Sequence, residues 1–589
     1  MAVVADEGFI AKTRFAPRGF QLWHWLVFLA VLGLVGVPLA FLVLGSFSLA
    51  ALPTEFSLSE MGLGNYIEVW LDPRTVGLFA NTFIYVSGAT LVGIGFAATL
   101  AWLVERTNIP GKIWIYAGVP MTLAIPGMLQ AMAWVLLLSP KIGFINTSIR
   151  DLLGLAENPF NIYSLSGMIL IEGLRLVPTA FLMLVPLLRS MDPVLEEAAA
   201  MSGANPRSTL RRVTIKLMLP GLLAVLIYQA MTALEVFEVP GILGIPAEIY
   251  VFSTKIYSIL HSDTGIPAYG KANSLAMIYV VIAVAATYLY SRVIARSERF
   301  TIVTGKGYRP REVDLGRYKW CAFGFAQLYL LLSIIMPFLA LLYVSFLPFM
   351  QAPSANAFSM MTLNNYKELW YQEVIGTVVW NTLIMVVLSA TLTVVFSFLV
   401  SLVIVRSKFW GRKILDQLAF MPHAIPGIVL GLAFLWVFLQ ADKFGIPLYG
   451  GIVSISIAFA VGFMAYGTRA INAAILQIHK DLEEAAHVSG APYWRTMWRI
   501  FYPLMLPTFV GVWIWSVLHA VRQAGTPLIL YEGAENQVLA VLIWNLWDRG
   551  DIEIVGAMGT VLIVGLLLLT LGLRLIGFGR GTAVQQSSS

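Results

Sequence analysis

Twelve long apolar runs separated by short polar stretches set the pattern of this chain. In the first half they lie near Leu22–Phe47, Val76–Val104, Ile113–Leu138, Tyr163–Leu188, Leu217–Phe237 and Ala272–Ile294. In the second they lie near Cys321–Phe346, Ile375–Val405, Ile414–Leu439, Gly451–Ile475, Tyr502–Gln523 and Ile554–Ile576. A helix across the hydrocarbon core of a bilayer takes roughly 20 largely apolar residues, and each run suffices. The pattern predicts an all-α integral membrane protein of about 12 transmembrane helices.

The polar stretches carry unequal charge, and that fixes an expected orientation. The segment Arg292–Lys319 between the sixth and seventh runs has eight basic residues against three acidic. Arg406–Lys413 adds four basic residues and no acidic one, whereas Ser48–Gly77 has one arginine and four carboxylates. The positive-inside rule then places both termini and the Arg292–Lys319 linker in the cytoplasm, where the linker's basic residues meet anionic lipid. The first run is too long for the apolar part of a signal peptide and has no small-residue cleavage site after it. Gln585-Gln586-Ser587-Ser588-Ser589 reads as a polar tail.

Composition removes other classes. Of 589 residues, 59% are hydrophobic and only 12% are charged, and mean hydropathy is +0.80. Soluble chains carry roughly 25% charge, so a water-exposed globule is excluded. The net charge of +6 lies in segments between apolar runs and reads as topology, not as a nucleic-acid surface. A single cysteine, Cys321, and six scattered histidines offer neither a disulfide nor a metal site. No phosphate-binding loop is present; Thr304-Gly305-Lys306-Gly307 lacks both the spacing and the hydroxyl residue. The chain is therefore expected to have no ATPase site of its own and to bind no cofactor directly.

The chain is a tandem duplication. Asn65-Tyr66, Trp70, Asn81-Thr82, Gly111 and Ile125-Pro126-Gly127 recur 300 residues later as Asn365-Tyr366, Trp370, Asn381-Thr382, Gly411 and Ile425-Pro426-Gly427. Glu196-Glu197-Ala198-Ala199, Ser202-Gly203-Ala204 and Pro220 recur at an offset of 287 as Glu483-Glu484-Ala485-Ala486, Ser489-Gly490-Ala491 and Pro507. The difference falls in the loop Ser139–Ile162. The expected units are a first six-span half (1–291), a basic linker (292–319), a second six-span half (320–582) and the tail (583–589). An even number of spans per half gives both halves one orientation, related by an axis along the membrane normal, as in transporters.

Each half places a segment rich in glutamate and alanine between its fourth and fifth spans, beginning at Asp192 and Asp481. Each reads as a short helix capped by its aspartate and ended by a left-handed glycine, Gly203 or Gly490. An ordinary amphipathic connector would explain one copy; two copies in step argue against that. The pair resembles the EAA motif of permease subunits of ATP-binding-cassette importers. Three further strings, Phe160–Leu165, Phe237–Pro246 and Val541–Trp547, resemble the fused permeases of the ferric-iron importer group.

This resemblance implies a type I importer permease fold in a bacterial inner membrane. It implies coupling to two copies of an ABC ATPase subunit through Glu196, Glu197, Ala198, Gly203, Glu483, Glu484, Ala485 and Gly490. ATP and Mg would be used by that partner, and a periplasmic substrate-binding protein would deliver the cargo. Ferric iron is the favoured cargo, with aminoethylphosphonate, polyamine or thiamine carried by related permeases. Two departures from the group stand out. The first half has Ile215-Lys216 where the second keeps Tyr502-Pro503, and Arg522-Gln523-Ala524-Gly525 replaces Arg-Glu-Leu-Ser, which weakens the case for iron. A twelve-span secondary transporter driven by an ion gradient, or a channel-like scaffold, would share the repeat but not need the paired docking segments.

Charges inside the membrane cost about 2.5–3.5 kcal/mol each, so each needs a reason. Glu172 and Arg175, three apart on one helical face, either neutralise each other or line a cavity. Tyr228, Thr232 and Glu235 form one face of the fifth span, and Trp515, His519 and Arg522 form the matching face of the eleventh. With Glu238 and Gln523 they are the expected translocation pathway; His519 alone would read as a packed histidine. Glu235 and Arg522, equivalent in the repeat and opposite in charge, are expected to pair across the halves. The glycines of Gly88–Gly95 read as helix-packing contacts.

Overall fold

The computed structural model describes residues 18–189, 198–199, 201–261, 265–297, 312–371, 373–479 and 481–586. Among them there is no β-strand beyond isolated bridges, and eight helices are long and apolar enough to cross a membrane. The count reaches eleven when each bent helix pair is taken as one span. The sixth expected span is the 29-residue helix Tyr269–Ser297.

The third and ninth spans are not the continuous helices expected from hydropathy. Lys112–Ala124 and Gly127–Leu138 meet at 95°, and Arg412–His423 and Gly427–Asp442 meet at 115°. Each break falls at the repeated Ile-Pro-Gly, where proline cannot continue the hydrogen-bond ladder and pushes the residue before it into extended backbone. Ile125 and Ile425 have ψ of 119° and 122°, as that constraint requires. The fifth span bends by 60° between Arg211–Leu219 and Gly221–Glu235, at Pro220, while the eleventh runs unbroken as Met497–Arg522 through Pro507. The two halves are thus asymmetric here, although both keep the proline at this position and it is the half without a proline at the Lys216 position that bends.

The inner pieces of the broken spans form the centre of the molecule. Every residue from Gly127 to Leu137 is buried, as are Ile428–Trp436 and Phe438. A helix apolar and buried all round has protein, not lipid, on every side. Part of that cover comes from short helices that hydropathy alone did not single out. Glu238–Gly244 packs on Gly127–Leu138, and Gly525–Leu530 packs on Gly427–Asp442. Thr526 seals the second contact by donating its hydroxyl to the Gly427 carbonyl at 2.9 Å.

The repeat also appears in backbone detail. A turn of π-helix interrupts the first span at Leu32–Gly36 and the seventh at Leu331–Ile335. Another opens the fifth span at Leu210–Thr214 and the eleventh at Met497–Phe501. The first span of each half packs on the other half. Trp25 and Phe28 stack edge-on against Phe409, while Phe325 stacks flat on Phe96 at 5.2 Å and Tyr329 packs beside it. Two of the Gly88–Gly95 glycines are the expected packing contacts between the second and fourth spans. A Cβ on Gly88 would meet Ile169 at 2.8 Å and one on Gly93 would meet Leu176 at 2.8 Å; around Gly95 there is open space.

The linker does more than connect at its far end. Val313 donates to the Arg106 carbonyl at 2.8 Å, and Asn108 donates from its side chain to Asp314 at 2.6 Å. Asn108 Oδ1 in turn accepts from the Leu315 amide at 3.0 Å, and Lys112 pairs with Glu312 at 2.6 Å. These bonds hold Asp314's carboxyl below the usual range, chiefly through the Gly316 amide and then Asn108. Residues 312–315 therefore clamp the start of the seventh span to the loop after the second. If the chain is cut between Ser297 and Glu312, the co-expressed halves should still co-purify. Asn108→Ala removes two hydrogen bonds at the clamp and should lower recovery of the split complex severalfold at limiting concentration. Unchanged recovery would show that the clamp contributes nothing.

Candidate translocation pathway and coupling segments

Polar side chains gather where the broken spans turn. On the fourth span, Arg175 makes a two-pronged pair with fully buried Glu172, Nε to Oε2 at 2.9 Å and Nη2 to Oε1 at 2.7 Å. The fork geometry of guanidinium and carboxylate makes this the strong form of such a contact. Arg175 lies against the break of the third span, where a Cβ on Gly127 would sit 2.9 Å from Arg175 Cδ. Mutual neutralisation is therefore present, and it occurs beside the break.

The fifth and eleventh spans end at Glu235 and Arg522, and the chain then turns through extended Val236 and Gln523. The expected Glu235–Arg522 pair is not formed: among the described residues no carboxylate lies within 4 Å of Arg522. Both residues close their helices, so the group that reaches across the halves comes after the turn. Glu238 Oε1 accepts from the Ala524 amide at 3.1 Å, at the start of the short helix Gly525–Leu530. A carboxylate there satisfies an amide that the helix leaves free. Arg522, Glu238 and Arg175 lie within electrostatic reach of one another.

The other expected pathway residues divide. Tyr228 stacks on His423 of the ninth span at 5.4 Å, joining the two halves. Thr232 bonds back to the Tyr228 carbonyl within its own helix. Trp515 and His519 form a stacked ladder with Tyr466 of the tenth span, at 3.8 and 3.9 Å between rings. His519 Nδ1 lies 2.8 Å from the Trp515 carbonyl, which can only accept, so Nδ1 is the donor in this contact. Gln523 caps the eleventh span through its backbone amide only. His423, Tyr466 and the break at Gly127 were missed in the sequence reading, although His423 stands two residues before a repeated Ile-Pro-Gly.

The repeat offsets show how unequal the two walls are. Glu172, Arg175, Glu235 and Glu238 face equivalents Phe459, Gly462, Arg522 and Gly525, while His423 and His519 have Leu123 and Thr232 as theirs. The first half supplies three carboxylates and the second supplies histidines and Arg522.

At the end of the bundle that carries the glutamate–alanine segments, the halves stay alike. Glu196, Glu197 and Asp192, the last expected as a cap, lie outside the described residues. In the first copy Ala204 N–H bonds Ala199 O at 3.0 Å and Ser202 Oγ bonds Ala198 O at 2.8 Å. In the second, Ala491 bonds Ala486 O and Ser489 Oγ bonds Ala485 O at the same distances. Gly203 and Gly490 have φ of +82° and +72°, the left-handed turn that their place in the sequence requires. Glu484, Ala485 and Ala198 are exposed, and Glu483 is half-buried. Asp481 is the first helical residue and pairs with His479 at 3.0 Å instead of capping the helix. Sequence reading also passed over Met201 and Val488, repeat mates that are each 90% exposed at the tip of their segment.

The family model described as the binding-protein-dependent transport system inner membrane component matches this chain twice, over residues 89–299 and 394–579. The chain belongs to that family. It is a fused, two-half permease of an ABC importer, a multi-pass membrane protein with both halves on one polypeptide. The permease is 25% identical over 511 residues to a ferric transport system permease protein of Actinobacillus pleuropneumoniae, a match covering 84% of this chain and 69% of the relative. An Fe(3+)-transport system permease protein of Haemophilus influenzae is 21% identical, with 88% and 92% covered. A probable sulfate transport system permease protein of Chlorokybus atmophyticus is 26% identical over 36% of this chain and 78% of its own.

The Glu172–Arg175 pair yields a stability prediction. Breaking a buried pair from one side costs about 3–5 kcal/mol, whereas replacing both partners by apolar groups is near neutral. Glu172→Leu alone should lower the unfolding temperature of the purified permease markedly, and adding Arg175→Met should restore most of it. Equal losses in the single and double variants would refute mutual neutralisation as the reason for the pair.

Proposed function

We propose that this permease is the membrane subunit of an ATP-driven importer of the bacterial inner membrane, with both termini in the cytoplasm. Two copies of a separate ATPase dock at the segments containing 196–203 and 483–490 and use Mg-ATP there. A periplasmic binding protein delivers cargo to the opposite face. The observation that carries this reading is the pair of docking segments. Each has the same hydrogen bonds, the same left-handed glycine and an exposed apolar knob, Met201 or Val488, at the tip. A secondary transporter has no use for two such matched surfaces.

The cycle is alternating access. Closure of the ATPase dimer moves both docking segments, and the bundles rock about the central broken spans. The working division is 1–291 and 320–582 as the two halves, with 292–319 as linker and 583–589 as tail. The pathway runs past Tyr228, Thr232, Glu235, Glu238, Trp515, His519, Arg522 and Gln523. Ferric iron is the first cargo to test, because the relatives that align over most of the chain are ferric permeases. Arg522, with no carboxylate within 4 Å among the described residues, favours as second reading a cargo bearing an anionic group, such as a phosphonate.

The test is reconstitution of the permease with its ATPase and binding protein in liposomes. Uptake of radioactive ferric iron should require ATP inside, resist uncouplers and stop without the ATPase. Uptake driven by an ion gradient alone would sink the reading. The docking segment itself gives a graded prediction. A Cβ on Gly490 meets nothing within 4 Å, so only the left-handed backbone resists substitution. That resistance is about 1–2 kcal/mol for an ordinary residue and much less for asparagine. Gly490→Val should weaken ATPase co-purification roughly tenfold while Gly490→Asn keeps it; equal behaviour of the two would mean that the turn is not what the ATPase reads.

A further inference from the structure

Arg406 ends the eighth span and touches four elements at once. Its Nη2 donates to two carbonyls at the end of the tenth span, Ile475 O at 3.1 Å and Ile478 O at 2.6 Å. Its Nε lies 3.1 Å from Glu483 Oε1, in the first turn of the docking helix Asp481–Val488. Its guanidinium covers the ring of Phe501, 5.5 Å from the centroid, where the eleventh span begins. The Arg406 side chain is only 14% exposed and that of Glu483 29%. Glu483, expected among the ATPase-coupling residues, is thus engaged within the chain.

The carbonyl contact at the span's end recurs in the first half. Arg106 is Arg406's mate at the offset of 300, and Leu188 is Ile475's mate at the offset of 287. Arg106 Nη2 donates to the Leu188 carbonyl at 3.1 Å, and Arg106 is 2% exposed. A charge serving only membrane topology would be solvated. Instead a planar fork with five donors sits at the negative end of one helix and beside the first-turn carboxylate of the next. Two hydrogen bonds seat the fork on the end of the tenth span while its Nε faces Glu483 as an ion pair without hydrogen-bond alignment, and together they hold the docking helix to that span. A lysine, with one mobile ammonium, would not.

We propose that Arg406, with Arg106 as its counterpart, is the positioning residue that transmits motion of the docking segment into the bundle. Displacing the docking helix pulls on Glu483, and the guanidinium carries that pull to spans eight, ten and eleven together. This rests on the ATP-driven reading above.

The experiment uses the full permease with its ATPase in liposomes. Cys321 is replaced by serine, and spin labels are placed on cysteines introduced at exposed Ile142 and Phe444. The label distance is measured before and after trapping with Mg-ATP and vanadate, a readout that needs no cargo. The unsubstituted arginine–glutamate pair should give a clear shift on trapping. Arg406→Lys and Arg406→Gln should each keep the bound ATPase and its hydrolysis within twofold but lose most of that shift. Variants that keep the full shift overturn the inference. So does a shift lost only in proportion to lost ATPase, which would make the cluster a plain structural staple. If no ATPase binds even to the unsubstituted pair, the importer reading fails and this inference falls with it; a coupled parent with unaffected variants defeats this inference alone.

Discussion

A membrane gives irregular backbone no water to bond, so a break inside a span is tolerated only where protein surrounds it. The two Ile-Pro-Gly breaks impose that condition on the whole permease. The pieces after them, Gly127–Leu138 and Gly427–Asp442, are covered by short helices of their own half. The first and seventh spans, crossing over from the opposite half, help complete the cover. Gly45 of the first span is tight enough that a Cβ there would meet Trp436 of the ninth at 2.9 Å. The fusion of halves, the exchange of first spans and the dense centre thus serve one requirement. That centre is also where non-lipid surroundings exist, and the charges have gathered there.

The run lengths, the offsets and the left-handed glycines were legible because each follows from a local rule. The breaks were not, because proline and glycine are themselves apolar and a hydropathy window reads through them. Ile125-Pro126-Gly127 stood out as a repeat marker but not as a hinge, since transmembrane helices often carry proline without breaking. The helices Glu238–Gly244 and Gly525–Leu530 are hidden for a related reason: apolar residues facing protein look the same as apolar residues facing lipid. Arg106 and Arg406 were hidden by the positive-inside rule, which accounts for them before asking what they touch. The Glu235–Arg522 pairing failed on geometry, because equivalence in the repeat places two residues symmetrically without bringing them together.

The duplication has been kept and lost in different places, and the difference has a physical basis. Around Gly203 and Gly490 the two copies match bond for bond, as the proposed pair of equivalent docking surfaces requires. At the centre, charges differ at nearly every equivalent position. On the proposed function, a single pathway would be lined once by each half, which leaves its two walls free to diverge. Glu238 shows the consequence: its carboxylate bonds the Ala524 amide of the other half, while its mate Gly525 has no side chain to return the contact.

These two regions are joined by rods of unequal stiffness. The tenth span, Ile452–Gln477, contains no proline and carries both Ile475, held by Arg406, and Tyr466, stacked on Trp515. Nine residues separate them, about 14 Å at 1.5 Å per residue, so displacement of one end reaches the other through unbroken helix. The fourth span joins Leu188 to the Glu172–Arg175 pair in the same way as one continuous helix, but carries Pro178 and Pro186 within it. Proline removes a ladder bond and lets a helix hinge, so part of a displacement entering at Arg106 is absorbed before it reaches the centre. On the proposed cycle, the direct mechanical route runs through the second half: Glu483, Arg406, the tenth span, and then the Tyr466–Trp515–His519 ladder beside the cargo.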